Sequence, residues 1–83
     1  MQFLDAAFHT YTICDTTAIQ AEKEAIDFYQ EAEDSTPDLH GKAMFKVLAR
    51  EEEGHLALWE EELQWITKSR KYFTLHRFTL RAD

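Results

Sequence analysis

The chain has 83 residues and a formal net charge of −7, with sixteen acidic and nine basic side chains. This length allows one domain with a modest core in a monomer, for which association into oligomers is a common remedy. The charge argues against nucleic-acid binding through a broad basic face and favours cations or basic partners.

The chain has a single cysteine, Cys14, so it cannot form an intrachain disulfide or, within one chain, a cysteine-rich zinc or rubredoxin-type iron site. No stretch approaches the roughly 18 apolar residues of a membrane span. Residues 1–5 lack the basic start of a signal peptide. We therefore expect a soluble, cytoplasmic protein without a membrane partner.

The first predicted element after an aromatic N-terminal arm, residues 1–14, is helix 1, from about 15 to 34. The arm could extend helix 1, form a separate short helix or be extended. Asp15, Thr16 and Thr17 offer N-cap side chains, and residues 18–32 are rich in good helix formers. Glu22 falls within the apolar stripe of this helix, which consists of Ala18, Ala21, Ala25, Phe28 or Tyr29, and Ala32, flanked by Ile19 and Ile26.

The second predicted element, helix 2, runs from about 38 to 68. Pro37 suits its first position, with Thr36 or Ser35 as the cap. The C-terminal tail, residues 69–83, alternates partly between apolar and polar residues and could be extended. We expect it to pack across a neighbour. The inner line of helix 2 reads Met44, Leu48, Glu52, His55, Trp59, Leu63 and Ile66.

Three side chains on these inner lines are candidate metal ligands: Glu22 on helix 1, and Glu52 and His55 on helix 2. The Glu-x-x-His spacing places the last two about one helical turn apart on the same face. A carboxylate that faces a core is costly unless something compensates its charge, and a cation would do so. The pattern therefore predicts a metal site between the helices.

The three groups can reach the same height in an antiparallel hairpin. Glu22 lies about 17 Å from the turn along helix 1, whereas Glu52 and His55 lie about 21–26 Å from it along helix 2. Helical side chains lean toward the N-terminus of their own helix. Glu22 therefore leans away from the turn and the other two lean back toward it. The side-chain ends then differ less in their distance from the turn than the backbone positions do.

Three ligands are too few for a two-metal centre, but two copies of the hairpin would supply six. Their four carboxylates and two neutral imidazoles would balance two divalent metals. Mixed oxygen and nitrogen ligation suits iron or manganese, while zinc remains open. We therefore predict an all-α fold, in which residues 1–83 form one half-domain. This long antiparallel hairpin would dimerise into a four-helix bundle.

Other acidic and aromatic residues near this site have less specific interpretations. Glu51 and Glu53 should face solvent, although Glu51 becomes the rival ligand if helix 2 is rotated from our estimate. Trp59 lies one turn beyond His55, where it could shield the site from water. Glu62 continues near the same face, but a solvated run of acids is the preferred interpretation. Three histidines stand outside any ligand spacing: His9, His40 and His76.

Two motifs at these residues resemble the ferritin-like superfamily, especially rubrerythrin-like proteins. The segment from Glu22 to Tyr29 (EKEAIDFY) is similar to the Glu-x-x-Ala-x-x-x-Tyr helix of the family. The segment from Phe45 to His55 (FKVLAREEEGH) is similar to its apolar approach to Glu-x-x-His. The resemblance covers residues 16–66, and the tail is more weakly similar to the end of short rubrerythrin-like proteins.

Carried over position by position, the resemblance implies that Glu22, Glu52 and His55 are iron ligands. It also implies that Tyr29 lies in a second shell around them. Ordinary family members hold four helices and both ligand sets in one chain. A half-length chain is therefore expected to form a homodimer, or an assembly of dimers, as encapsulated ferritins do. Such a dimer would be a ferritin-like four-helix bundle that binds two iron ions between subunits and oxidises Fe(II) with O2 or peroxide.

Two alternative functions remain open at this point. The same site would serve a rubrerythrin-like peroxidase; the rubredoxin domain of full rubrerythrins is not among these residues, so this activity needs an external electron donor. The other alternative is not an enzyme: a structural helical oligomer whose acids are solvated, or one that holds a static metal.

Overall fold

The protein consists of two long helices that pack side by side as an antiparallel hairpin. In this computed structural model the backbone is described for residues 2–81 and the side chains for residues 5–72. Helix α1 spans Gln2–Ser35 and helix α2 spans Leu39–Arg81, and no strand occurs within residues 2–81. The hairpin measures 68 × 15 × 12 Å. The predicted all-α hairpin is thus confirmed, and its helices are longer than expected.

Helix α1 begins at Gln2, so the N-terminal arm is part of α1, the first of the three possibilities considered for it. The chain has no glycine or proline before Pro37, so nothing interrupts the helix. Three threonine hydroxyls in this segment donate hydrogen bonds to carbonyl oxygens four residues earlier, which satisfies them within the helix: Thr10 to Ala6, Thr12 to Phe8 and Thr16 to Thr12. The prediction that Asp15 caps helix 1 was wrong.

The connection between the helices is short and closed by hydrogen bonds. At the end of α1 the Lys42 ammonium donates to the Glu33 carbonyl oxygen at 2.9 Å. Asp38 caps the start of α2, because its carboxylate accepts a hydrogen bond from the Gly41 amide at 2.9 Å. The cap is therefore Asp38, not Thr36 or Ser35 as predicted. Thr36 instead donates its hydroxyl hydrogen bond back to the Ala32 carbonyl oxygen.

Helix α2 continues to Arg81, so the tail up to this residue is helical and does not take the extended form considered for it. The last glycine of the chain is Gly54, and no proline follows Pro37, so the backbone has no reason to leave the helix. The weak alternation that suggested an extended tail was overridden by this continuity. Side chains of this tail are described only up to residue 72, and that it packs across a neighbour stays a prediction.

The contact between the helices buries little apolar surface. Among the described side chains only Ile26 and Ala49 form the buried hydrophobic core. Tyr29 stacks on Phe45 across the hairpin, with ring centroids 6.3 Å apart. Phe45 is partly buried here, whereas Met44, expected on the inner line, is 63% exposed. Neither described helix is apolar enough over a sufficient length to cross a bilayer.

Candidate metal centre

The hairpin brings Glu22, Glu52 and His55 together near the middle of its length. One ligand atom from each residue lies within 4.8 Å of the others. His55 Nδ1 is 3.4 Å from Glu52 Oε2 and 3.9 Å from Glu22 Oε1. These separations are of the size expected when three ligand atoms surround one cation at 2.0–2.3 Å. The lean of helical side chains toward their N-termini accounts for this meeting across two antiparallel helices.

The carboxylates of this triad are more buried than the imidazole. The side chains of Glu22 and Glu52 are 18% and 22% exposed, whereas His55 is 55% exposed. Glu22 Oε2 is buried and has no hydrogen-bond partner. A buried oxygen without a donor carries a free-energy cost. A cation placed among the three groups would remove that cost, so the residues present fit a metal.

The triad opens onto a groove along one side of the hairpin. The groove has a volume of about 380 Å³ and is lined by Glu22, His55, Leu58, Trp59 and Glu62. Leu58 is 65% exposed there, although it is a large apolar side chain. In one hairpin the triad is therefore covered where α1 and α2 contact each other and open where it faces the groove. An open side leaves room for further ligands.

The rival arrangement with Glu51 is not the one in the structure. Glu51 is exposed and is not part of the triad, whose α2 carboxylate is that of Glu52. His9 and His40 are exposed, and the side chain of His76 lies outside the described residues. The order Glu52 inward and Glu51 outward follows from the roughly 100° rotation per helical residue.

The two predicted neighbours of the ligands have different surroundings. Trp59 lines the groove together with Glu22 and His55 of the triad. The Tyr29 ring contacts Phe28 edge-on at 5.6 Å and stacks on Phe45. Among the described hydrogen bonds none joins the Tyr29 hydroxyl to a triad carboxylate. Its second-shell role therefore stays a prediction.

Sequence reasoning missed one buried acid, Asp15. Its side chain is 2% exposed, and its Oδ2 has no hydrogen-bond partner. The sequence pattern indicates a helix cap at Asp15, because it predicts that helix 1 begins there. Its spacing of seven residues from Glu22 was the available signal, since such positions share a helix face.

Comparison of the chain with protein-family models, with curated proteins and with solved structures found no match. The geometry and chemistry of the triad are therefore the features of this chain that bear on its function.

Proposed function

We propose that two copies of this hairpin form a ferritin-like four-helix bundle that binds two Fe(II) ions between them and oxidises them. The observation that carries the proposal is the convergence of Glu22, Glu52 and His55 within 4.8 Å. The unpartnered Glu22 Oε2 supports it, since a buried acceptor without a donor suits a cation. One Glu from each of two helices and one Glu-x-x-His from each of two others is the ligand set of ferritin-like di-metal bundles. One hairpin carries half of that set.

The exposed apolar surface of the hairpin supports a second copy as the partner. Leu58, Trp65 and Tyr72 follow each other at seven-residue spacing on α2, and each is more than half exposed. Seven residues are nearly two helical turns, so these side chains form one stripe, as they do in helices that pack against each other. Leu58 also lines the groove at the triad. The stripe thus begins at the open side of the site, where the second set of ligands would enter.

The small core of one hairpin also supports pairing with a second copy. Only Ile26 and Ala49 are buried hydrophobics among the described side chains. A chain of this size needs more buried apolar area, or a partner, to be stable. Pairing along the exposed stripe would supply that area. The dimer would then stabilise the fold and complete the site in one step.

The charges of a paired site suit Fe(II) as substrate. Four carboxylates and two neutral imidazoles carry −4, which balances two Fe(II) ions. In the reaction two Fe(II) ions and O2, with two protons, give two Fe(III) ions and hydrogen peroxide. Four carboxylates leave two Fe(III) ions with a net charge of +2, so the oxidised pair needs anionic ligands beyond those of the chain to be neutral. The residues of the chain bind and position the ions, and no side chain need act as a general acid or base.

Metal content and oligomeric state test the proposal together. Protein loaded with Fe(II) under anaerobic conditions should bind about one iron per chain and sediment as a dimer or a multiple of dimers. Glu52→Gln should abolish iron binding, because it replaces a ligand carboxylate with a neutral amide. Glu53→Gln, which removes the same charge from an exposed neighbour, should leave the ratio unchanged.

Two results would contradict the proposal: a monomer that binds iron as tightly as the dimer, or Glu52→Gln protein with an unchanged iron ratio. Oxygen consumption on adding Fe(II) tests the reaction itself. Peroxide reduction that requires a separate electron donor, without oxygen consumption, would favour the rubrerythrin-like peroxidase instead.

A further inference from the structure

A second carboxylate, that of Asp15, lies on the inner face of α1 without a partner. It is the most buried of the described polar side chains, at 2% exposure. Asp15 Oδ2 and Glu22 Oε2 are the two buried side-chain oxygens that lack a hydrogen-bond partner among the described residues. A cation bound at the triad would account for the unpartnered oxygen of Glu22. Asp15 lies outside the triad, and its unpartnered oxygen calls for a positive ligand of its own.

The residues at the same height as Asp15 can be found by moving seven positions along each helix from the triad. Asp15 precedes Glu22 by seven residues, whereas Trp59 and Glu62 follow Glu52 and His55 by seven. Because the helices are antiparallel, both shifts run about 10 Å in the same direction along the hairpin, away from the turn. Seven residues rotate a helix position by only about 20°, so the shifted residues stay on the same faces. Asp15, Trp59 and Glu62 therefore occupy, at a second level, the helical positions equivalent to those of Glu22, Glu52 and His55.

The groove connects these two levels. Its lining includes Glu22 and His55 of the triad together with Trp59 and Glu62 of the second level. Glu62 is exposed and stands on the solvent side, whereas Asp15 is withdrawn between the helices. Asp15 does not line the groove, so a cation held by Glu62 at the groove would lie on the solvent side of Asp15.

We propose that Asp15 and Glu62 form a second divalent-cation site, about 10 Å from the triad, that holds a hard cation together with water ligands. Two carboxylates with several retained waters are a common way to bind Mg²⁺-like ions in proteins. The second level has Trp59 where the triad has Glu52, and Glu62 where the triad has His55. With fewer protein ligands this site binds more weakly than the triad. Its use in delivering Fe(II) to the triad rests on the proposed function; its existence does not.

Terbium(III) is a suitable probe, because tryptophan near a bound terbium ion sensitises its luminescence and Trp59 lies at the second level. The 83-residue chain with Glu52→Gln would be titrated with terbium(III) under tryptophan excitation, with Mn(II) added as a divalent competitor. We expect sensitised emission that Mn(II) displaces and that Trp59→Phe largely removes. Asp15→Asn and Glu62→Gln, each in this background, should weaken terbium binding roughly tenfold or more, because each removes one charged ligand. Glu61→Gln is the matched control and should bind as its parent does.

Asp15→Asn tests a buried position and Glu62→Gln an exposed one, so a folding defect in the first leaves the second informative. Terbium affinity unchanged by Glu62→Gln, or lowered equally by Glu61→Gln, would overturn the second site. Emission that Mn(II) fails to displace would overturn its assignment to divalent cations. The iron-to-chain ratio of the unmodified protein tests the triad separately, so the second site can fail while the proposed function stands.

Discussion

At the scale of single residues, Glu22 lowers the stability of the metal-free fold and is also a proposed metal ligand. Its side chain is 18% exposed, and its Oε2 has no hydrogen-bond partner. Without metal, such a group lowers the stability of the fold, because a buried acceptor has lost its water and gained no donor. The sequence retains it at a position where an apolar residue would pack better. The proposed role as a metal ligand would account for a destabilising carboxylate at this position.

Replacing Glu22 with leucine should therefore stabilise the metal-free protein and abolish metal binding at the triad. We expect the free energy of unfolding to rise by about 1–3 kcal/mol, as an unpaired buried carboxylate is replaced by an apolar side chain. Urea unfolding of metal-free protein measures this. Glu31→Leu changes an exposed acid on the same helix and should have a much smaller effect. Equal stability of Glu22→Leu and the unmodified chain would show that Glu22 is not a strained group.

At the scale of elements, the two glycines of α2 have different roles. A Cβ built at Gly41 would lie 2.6 Å from Thr36 Cγ2, so the turn approaches α2 too closely for a side chain there. A Cβ at Gly54 would meet nothing within 4 Å. Gly41 is thus required by the connection between the helices. Gly54 only weakens the helix, since glycine is a poor helix former.

Gly54→Ala should raise the free energy of unfolding by about 1 kcal/mol, the usual difference between the two residues in a helix interior. Gly41→Ala should lower it, because Thr36 must move. Thermal unfolding of both metal-free variants checks the opposite signs. Stabilisation by Gly41→Ala would mean that the turn adapts without cost.

At the scale of the whole molecule, a long thin hairpin with a small core displays an apolar stripe. Trp65, in the centre of the Leu58–Trp65–Tyr72 stripe, is 65% exposed. In the proposed dimer this side chain is covered by the second copy. Large exposed apolar side chains in a row are typical of interaction surfaces.

Trp65→Glu should therefore shift the protein toward monomers, with a dissociation constant at least roughly tenfold higher, since it places a charge in the apolar stripe. Iron binding should fall with it, because in the proposed dimer the second copy would complete the site. Sedimentation velocity over a dilution series, with iron content measured in the same samples, checks both. Gln64→Glu adds the same charge at the neighbouring exposed position and should leave the dimer intact. An unaffected dimer in Trp65→Glu would place the interface elsewhere.

Local patterns were enough to predict two helices, the position of the break and the three residues of the triad. The period of apolar residues placed Glu22, Glu52 and His55 on inner faces, and the lean of their side chains predicted that they would meet. The ends of the helices were less predictable. Threonines and aromatics in residues 2–14 and a weak alternation after 68 gave mixed signals, which the absence of glycine and proline outweighed. A cytoplasmic location, iron and the dimer stay predictions.

By itself, then, the sequence determined the hairpin and the triad, because both depend on helical periodicity and on one break at Pro37. Only the tertiary structure decided which side chains are covered at the contact between the helices. It withdrew Asp15 from solvent and left Met44, Phe28 and Trp65 exposed. Periodicity gives the direction in which a side chain points along its own helix, but burial depends on what stands opposite. Each helix packs against only the other helix of the hairpin, so much of its apolar stripe is left uncovered.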